Sequence, residues 1–337
     1  MPELPEVEVV RSGLEPVVTG AVVRAVEVRE SRSLRRHDGP SEDFAERLTG
    51  ATIGGAVRRG KFLWLPLERV ELVETSPTNF RGGVSTPTGP PADSDESPGL
   101  RGVGPSSTRP SALVMHLGMS GQVLLRDEGQ PDDPLLRIRL SLDTAHDGRV
   151  RLDFVDQRIF GSMAIDELVP TPDGRAAGLG SNAALVPSQV AHIARDPLDP
   201  AFDDRRFFDA LANRKTGIKR ALLDQGLVSG IGNIYADEAL WAARVHYDQP
   251  TASLSRPRAK TLLAEVRLVL GKALAEGGTS FDAQYVNVNG ASGYFSHSLN
   301  AYGRQGDACP RCARPIVRDR FMNRGSHYCP FCQRIRV

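Results

Sequence analysis

The C-terminal stretch CPRCARPIVRDRFMNRGSHYCPFC, residues 309–332, contains all four cysteines of the chain, in two Cys-x2-Cys pairs separated by 16 residues. Each pair can hold one side of a tetrahedral ion, and the residues between the pairs can form a β-hairpin that closes the site. Because Cys309, Cys312, Cys329 and Cys332 leave no coordination position open, the pattern favours one structural Zn²⁺ over a catalytic ion. Redox-active pairs or free thiols are the alternative.

The segment around these cysteines is basic. Residues 301–337 contain eight Arg, no Lys and two Asp, a formal charge of +6, whereas residues 1–300 carry −5. Four thiolates and one Zn²⁺ would add −2, so the loaded segment would keep about +4. A small positive module is typical of nucleic-acid binding, although a solvated basic tail has the same composition.

The composition of the whole chain is that of a globular protein. Of its 337 residues, 40% are hydrophobic and 25% are charged, and the length suggests about two domains besides the small module. The apolar runs stay well below the ~18 residues that span a bilayer, and the acidic N-terminus lacks the apolar core of a secretory signal. Four cysteines are too few for a disulfide scaffold. We expect a soluble cytoplasmic protein.

The first half of the chain is predicted to be rich in β-strands. A helix is expected at residues 6–18, where apolar residues recur at helical spacing after Pro5. Short alternating segments separated by turn residues predict an antiparallel sandwich or barrel. The expected strands are 21–28, 51–58, 62–67, 113–117, 121–125, 136–142, 150–155 and 162–165. Residues 75–111 interrupt this pattern: 25 of these 37 are Gly, Pro, Ser or Thr, which predicts a disordered loop.

Helical patterns dominate after the stiff connector at residues 196–200. Helices are expected at 203–213, 217–224, 233–244 and 257–276, and two glycines end the last of them. The sequence therefore predicts an α+β multidomain protein: an N-terminal β-sandwich (1–186), a linker with a helical domain (187–298) and a C-terminal β-hairpin with four cysteines (299–337).

A glycine-rich turn, GLVSGIGNIY at residues 226–235, leads into the third of these helices. Glycines let a backbone approach a polyanion closely, and a helix start offers free N–H groups at the positive end of its dipole. Asn233 could cap the helix or hydrogen-bond a phosphate, and Lys215 and Lys219 lie shortly before the turn. A purely structural connection between helices is the alternative interpretation.

The N-terminal sequence Met1-Pro2-Glu3-Leu4-Pro5-Glu6 offers a possible nucleophile. Removal of Met1 would expose the secondary amine of Pro2, which can attack an aldehyde-like carbon. Glu3 and Glu6 could transfer protons nearby. Most Met-Pro starts have no catalytic role, so this pattern needs further support.

Four ordered motifs supply that support: residues 1–8 (MPELPEVE), residues 116–121 (HLGMSG), residues 232–238 (GNIYADE) and the four-cysteine tail. Together they resemble the formamidopyrimidine-DNA glycosylases of the Fpg/Nei base-excision repair family, over essentially the whole chain except residues 75–111. The resemblance implies an N-terminal β-sandwich, a helix–two-turns–helix domain and a zinc finger. It also implies a monomeric, bacterial-type enzyme, associated with the nucleoid, that acts on oxidised purines in duplex DNA.

The resemblance assigns catalytic roles to four residues. Pro2 would attack the sugar C1′ and expel the damaged base, and Glu3 would be the general acid/base at the sugar. Lys61 matches the lysine assigned to phosphate contact and β-elimination. Arg324 matches the zinc-finger arginine that grips phosphates at the lesion and is assigned to δ-elimination. The four cysteines would hold the structural Zn²⁺.

Other residues would bind the DNA. Met119, Arg158 and Phe160 match residues that fill the hole left by a flipped base, with Phe160 as a wedge and Arg158 bonded to the orphaned cytosine. Taken singly, Met119 and Phe160 could instead be core and Arg158 a surface charge. Positions implied to bind the DNA backbone are Asn233, Lys215, Lys219, Tyr302 and His116.

Two features qualify the match. Ile159 stands where relatives have a second Arg, so no guanidinium contact is expected from this position. Residues 278–295 would form a mobile loop that closes over the flipped base.

A Nei-type enzyme for oxidised pyrimidines and a non-catalytic zinc-finger binder of damaged DNA are the alternative functions. Leu4 in the N-terminal motif favours an Fpg-type enzyme for oxidised purines over a Nei-type enzyme. Pro2, Glu3 and Lys61 together argue against a protein that only binds damaged DNA.

Overall fold

The computed structural model describes residues 2–68, 109–278, 288 and 298–336. The chain begins with helix α1 (Leu4–Val18), two residues earlier than the spacing predicts. Glu3 is the N-cap, and its backbone N–H donates to the side chain of Glu6 at N3, so a capping box fixes the helix start. The apolar side of α1 packs on the β-sheet that follows.

Ten strands form one sheet in which each strand pair is antiparallel. They are β1 (Val22–Val28), β2 (Thr52–Ile53), β3 (Val57–Arg59), β4 (Phe62–Glu68), β5 (Ser111–His116), β6 (Gly121–Asp127), β7 (Leu136–Thr144), β8 (Gly148–Asp156), β9 (Ser162–Pro170) and β10 (Leu185–Pro187). The strand order is β10-β9-β5-β4-β2-β1-β7-β8-β6, and β3 pairs with β4.

Both ends of this sheet contribute side chains to one hydrophobic core. Leu113 of β5 and Met163 of β9 belong to the same buried cluster as Leu140 of β7 and Phe154 of β8. The sheet therefore folds over on itself, and the predicted sandwich is confirmed. Alternating burial along β7, from Leu136 onward, is the physical basis of that prediction, because successive side chains of a strand point to opposite faces.

The structure differs from the sequence prediction at several points in this half. The expected strand 51–58 is two short strands, β2 and β3, separated at Gly54 and Gly55. Helix α2 (Ser41–Leu48) and strand β10 were not predicted. Of the predicted loop 75–111, residues 75–108 lie outside the described residues, and Ser111 already belongs to β5.

The second half is helical, as predicted, and contains α3 (Asp204–Ala212), α4 (Ile218–Leu223), α5 (Asn233–Ala242) and α6 (Arg256–Ala275). These four helices share one core, which Leu4 of α1 also enters. The first residue of α1 is therefore packed into the helical half, so the two halves meet at the N-terminus. Within the described residues, no helix is long and apolar enough to cross a membrane.

The cysteine tail forms a hairpin of β11 (Val317–Phe321) and β12 (Arg324–Tyr328). The predicted loop 278–295 lies outside the described residues, apart from Gly278 and Val288. The Val288 side chain is buried in the sandwich core, and its carbonyl accepts a hydrogen bond from Leu125 N at 3.0 Å.

Candidate active site

The carboxylate of Glu3 lies at the N-terminus of helix α5, on the other half of the molecule. It accepts hydrogen bonds from the backbone N–H groups of Gly232 at 2.6 Å and Ile234 at 3.0 Å. A side chain at Gly232 would overlap this carboxylate, so the close approach requires glycine. The positive end of the α5 dipole and its unpaired N–H groups thus hold an acidic side chain that is 2% exposed.

A second carboxylate fixes the chain end. Glu6 accepts the backbone N–H of Glu3 at 2.8 Å and the phenol O–H of Tyr235 at 2.6 Å. Pro2 directly precedes this bonded pair and is buried. Two acidic side chains anchored to α5 therefore fix the backbone that directly follows Pro2.

Lys61 reaches the same place from the turn between β3 and β4. Gly60 in that turn has φ of +58°, and a Cβ there would overlap Ser229 of the glycine-rich turn. The turn therefore sits tightly against residues 229–232, and Lys61 Nζ donates to the carbonyl of Ile231 at 2.9 Å. The structure thus brings together the N-terminus, Glu3 and Lys61, which are predicted to react at one sugar.

Burial moves the proton affinities of the two charged groups in opposite directions. Burial raises the pKa of Glu3, against the opposing effects of the Lys61 ammonium and of the backbone N–H donors. Burial lowers the pKa of Lys61, which the charge of Glu3 partly offsets. Burial therefore makes the Glu3 carboxyl a weaker acid, and the Lys61 ammonium a stronger acid, than the same groups in water.

The zinc-finger hairpin brings further cationic and polar groups to this site. Arg324, at the start of β12, is exposed, and its guanidinium is near enough to lower the pKa of Lys61. Asn233 Nδ2 donates to the carbonyl of Gly325 at 3.2 Å. Tyr302 stacks edge-on against His327 at 4.9 Å, and burial raises the pKa of its phenol. Arg324, Asn233 and Tyr302 therefore lie around one rim.

The two predicted backbone-binding lysines have different environments. Lys215 is exposed on the segment before α4, as a phosphate contact requires. Lys219 is fully buried, and its Nζ forms an ion pair with Asp237 at 2.6 Å. A direct phosphate contact would break that pair and leave a buried carboxylate uncompensated. The assignment of Lys219 to the DNA surface is therefore corrected: it is an internal lysine that joins α4 to α5.

His116 connects the active site to the predicted hole-filling residues. Its ring lies 4.9 Å from the ring of Phe62, and its Nδ1 accepts the N–H of Gly118 at 3.1 Å. Burial lowers the pKa of His116 to about 4, and the positive charges of Arg36 and Lys61 add to this effect. A neutral imidazole therefore stands at the end of β5, close to Lys61.

Met119, Arg158 and Phe160 are exposed on two adjoining loops, and the exposed fractions of Met119 and Phe160 are 42% and 52%. The loops are joined through Asp156, which accepts the hydroxyl of Ser120 and the N–H of Arg158 at 3.1 Å. The exposure of these two large apolar side chains argues against the core alternative for Met119 and Phe160.

The four cysteines form a compact group in which all sulfur atoms lie within 4.8 Å of one another. Zn–S bonds of about 2.3 Å in a tetrahedron place sulfur atoms roughly 3.8 Å apart, so the donor set fits one zinc ion. Trp241 Nε1 points at Cys309 Sγ from 3.5 Å and Arg311 stacks over the Trp241 ring, which packs the cluster against α5.

Several structural partners of the site were not predicted from the sequence. Asp237 accepts the hydroxyl of Ser326 at 3.0 Å and the N–H of His327 at 2.9 Å, which ties the hairpin to α5. Arg58 bridges Glu8 of α1 and Asp196 of the linker at 2.7 and 2.8 Å. Glu8 and Asp237 lie within the motifs at residues 1–8 and 232–238, but neither motif indicates the partners of these side chains, because each contact joins distant segments.

Three family models match successive parts of the chain. They are the Formamidopyrimidine-DNA glycosylase N-terminal domain at residues 1–163, the Formamidopyrimidine-DNA glycosylase H2TH domain at 193–284, and the zinc finger found in FPG and IleRS at 306–335. Their order is that of the sheet, the helices and the four-cysteine hairpin.

Full-length relatives carry the same name. The chain is 59% identical to a formamidopyrimidine-DNA glycosylase of Leifsonia xyli over 99% of this chain and 100% of the relative. It is 49% identical to one of Streptomyces avermitilis over 99% and 98%. Among solved structures, Lactococcus lactis Fpg with abasic-site DNA has a TM-score of 0.71 at 26% identity, over 98% of this chain and 99% of that one. MutM in complex with carbocyclic 8-oxo-G containing DNA has a TM-score of 0.70 at 25% identity, over 99% and 100%.

Proposed function

Because this chain belongs to the formamidopyrimidine-DNA glycosylase family, we propose that it is a bifunctional base-excision repair enzyme. It removes oxidised purines, 8-oxoguanine and formamidopyrimidines, from duplex DNA and then cleaves the abasic site. The observation that carries this proposal is the placement of Glu3, buried beside Pro2 at the start of α5 with Lys61 close by. Pure DNA binding needs no such dry acid–base group next to an amine.

We infer the first step from the chemistry of a secondary amine. After Met1 is removed, the nitrogen lone pair of Pro2 forms a bond to the sugar C1′, and the bond from C1′ to the damaged base breaks. The base leaves with the bonding electrons and takes up the proton that the Pro2 nitrogen loses when it bonds to C1′. Glu3, with its raised pKa, supplies a proton to the sugar ring oxygen, so the ring opens and an iminium links Pro2 to C1′.

The lyase steps follow from the iminium. It acidifies the C2′ proton, and loss of that proton expels the 3′-phosphate; a second elimination expels the 5′-phosphate. Lys61, whose pKa is lowered by burial, would contact the phosphate and promote the first elimination. Arg324 would hold the phosphates at the lesion and promote the second elimination. Water then releases the sugar fragment from Pro2.

The DNA surface is proposed to extend along the site rim. Asn233, Lys215, Tyr302 and His116 would contact phosphates, while the hole-filling residues Met119, Arg158 and Phe160 would replace the flipped base. A flipped base costs unstacking energy, and a wedge that fills the hole offsets part of that cost. Arg158 is a pure donor and matches the O2 and N3 acceptors of an orphaned cytosine.

Zinc holds the hairpin shape when bound by Cys309, Cys312, Cys329 and Cys332. With all four ligand positions taken by thiolates, the ion has no position for substrate, so the hairpin residues and not the metal would touch DNA. We propose 1–186, 187–298 and 299–337 as the domain limits, supported by hydrophobic clusters that lie mainly in the sheet, in the helices and in the tail. A monomer in the bacterial cytoplasm, associated with the nucleoid, would match such a function.

Borohydride trapping tests this function. We expect wild-type protein to form a covalent adduct with duplex containing 8-oxoguanine opposite cytosine, through Pro2, because borohydride reduces the iminium to a stable amine. Pro2→Gly is expected to lower trapping greatly, and Glu3→Gln to suppress base excision by roughly 100- to 10,000-fold. Glu128→Gln, an exposed acid beyond β6, is the matched control and should behave as wild type.

The outcomes distinguish the alternatives. An adduct mapped to a lysine with Pro2 dispensable contradicts the nucleophile. Preference for a thymine-glycol duplex over 8-oxoguanine would indicate a Nei-type enzyme. Tight binding of both duplexes without any adduct would indicate a non-catalytic binder.

A further inference from the structure

The loop that presents Arg158 and Phe160 contains a strained residue. Ile159 has φ of 55°, in the left-handed region. A β-branched side chain is an outlier there, because its Cβ crowds the following carbonyl. Such a conformation persists only where neighbouring groups hold it, and strain of this kind is concentrated at functional loops.

Arg35 holds the outer side of this loop. Its guanidinium, from the turn that follows residues 31–34, donates to three successive carbonyls. Nη1 donates to the carbonyls of Ile159 at 3.2 Å and Gly161 at 2.7 Å, and Nη2 donates to the carbonyl of Phe160. One fork of N–H donors thus fixes the peptide groups on both sides of Phe160, as only a planar guanidinium can.

The inner side is held by a carboxylate. Asp156 accepts the N–H of Arg158 at 3.1 Å and the N–H of Gly161 at 2.6 Å. Gly118, with φ of +63°, packs so closely that a Cβ would overlap the carbonyl of Phe160. The carboxylate of Asp156 therefore accepts the backbone N–H groups of this loop, and the guanidinium of Arg35 donates to its carbonyls, while the side chain of Phe160 stays exposed.

We propose that Arg35 is a positioning residue for insertion of Phe160 into the DNA stack. It acts by holding Ile159 in its left-handed conformation, so that the wedge is preformed before DNA arrives. Without Arg35, the strained residue relaxes, and the loop must be reordered each time a base is flipped. The proposal rests on the proposed function, since insertion is needed only by an enzyme that flips bases.

The test combines two substitutions with opposite effects on the loop. Arg35→Gln removes the guanidinium donors and is expected to slow single-turnover excision of 8-oxoguanine opposite cytosine roughly tenfold. This factor corresponds to the free-energy cost of the left-handed conformation at a β-branched residue. Ile159→Gly removes the strain, because glycine adopts φ near +55° freely. In the Arg35→Gln background it should restore the rate to within about threefold of wild type.

Two further readouts separate positioning from general damage. Cleavage of a pre-formed abasic site in single-stranded DNA needs no wedge, so Arg35→Gln should leave it unchanged. In the free protein, hydrogen exchange at Gly161 N–H should rise roughly tenfold in Arg35→Gln and return in the double variant. Arg32→Gln is the matched control, because Arg32 pairs with Glu30 on the same turn and has a side chain 71% exposed.

Three results would overturn the proposal: an unchanged excision rate in Arg35→Gln, an equal loss on the single-stranded abasic site, or no recovery with Ile159→Gly. No recovery together with a salt slope of binding lower by about one would assign Arg35 to a phosphate contact instead. Wild-type protein that excises nothing would contradict the proposed function, while the exchange measurement would still decide whether Arg35 holds the loop.

Discussion

Individual residues at the site owe their chemistry to burial more than to their identity. Glu3 and Lys61 are ordinary side chains whose pKa values approach each other because water is excluded around both. Burial also lowers the pKa of His116, and three neighbouring cations add to this effect by disfavouring the protonated ring. Burial therefore makes Glu3 a weaker acid and the Lys61 ammonium a stronger acid than in water, and it keeps the imidazole of His116 neutral.

His116 gives a prediction at this scale. Its pKa of about 4 lies below the ordinary 6.5, so the folded state binds its proton less readily than the unfolded chain does. We expect the His116 ring resonance to titrate with a midpoint near 4 by NMR. The stability linked to this residue should be lost as pH falls from about 6.5 toward 4.

His116→Gln identifies the resonance and should flatten that part of the stability profile, measured by urea unfolding at several pH values. A titration midpoint near 6.5 in the free wild-type protein would show that the His116 ring is exposed to solvent, which contradicts its partly buried position in the structure.

Among the structural elements, turns decide the site more than helices or strands do. The glycine-rich turn before α5 brings its N–H groups against Glu3, and the β3–β4 turn brings Lys61 against the same segment. Each approach depends on a glycine, Gly232 and Gly60, where a side chain would overlap its neighbour. The alternative view of residues 226–235 as a structural turn is therefore true in part: the turn is structural, and what it positions is the carboxylate of Glu3.

Gly232→Ala gives a prediction at the scale of an element. The added methyl displaces the Glu3 carboxylate from the α5 terminus, so we expect excision to fall by at least roughly 100-fold, the lower range for losing an acid–base group. Far-UV circular dichroism should remain unchanged, because the helices and strands keep their hydrogen bonds.

Gly271→Ala is the matched control. Gly271 lies within α6 with open space where the methyl would go, so the substitution should stabilise the protein by about 0.5–1 kcal/mol and leave excision unchanged. Normal excision by Gly232→Ala would mean that the position of Glu3 at α5 is unimportant.

Across the whole molecule, the zinc-finger hairpin is joined to the helical half through a buried polar network. Lys219 pairs with Asp237, Asp237 binds the backbone of His327, and Gly325 accepts hydrogen bonds from Lys219 and Asn233. The sandwich core contains no residue of the hairpin. The position of Arg324 therefore depends on the hairpin and α5, whereas the folding of the sandwich does not.

Cys329→Ser tests this division. Loss of one thiolate should lower zinc affinity by more than the roughly 10- to 100-fold lost when a group that hydrogen-bonds to a metal ligand is removed. DNA affinity should fall with it, because Arg324 and Asn233 lose their fixed positions. The sandwich should keep its unfolding transition in calorimetry.

Metal analysis, gel-shift titration and calorimetry on one preparation measure all three effects. Full DNA affinity in a zinc-free Cys329→Ser protein would contradict the dependence of DNA binding on the hairpin. Ser326→Ala is the control variant: Ser326 contacts Asp237 but is not a metal ligand, so this protein should retain zinc.

Local patterns determined most of the fold. Alternation along β7, helical spacing in α1 and α6, and the paired cysteines each depend on neighbouring residues only, so the sequence predicted the bounds of these elements to within two residues. Helix α2 was missed because only Phe44 and Leu48 of its eight residues are buried, which is too few for a clear period. The motif at residues 1–8 likewise contains two of the four candidate catalytic residues, Pro2 and Glu3.

What only the tertiary structure decided are the contacts between segments far apart in the chain. Glu3 meets the start of α5 across 229 residues, and Arg35 meets the Phe160 loop across 125. Lys219 and Lys215 look alike in the sequence, yet one is buried against Asp237 and the other is exposed. Burial and pairing arise from packing in three dimensions, and they set whether a charged side chain binds a proton, a neighbour or DNA.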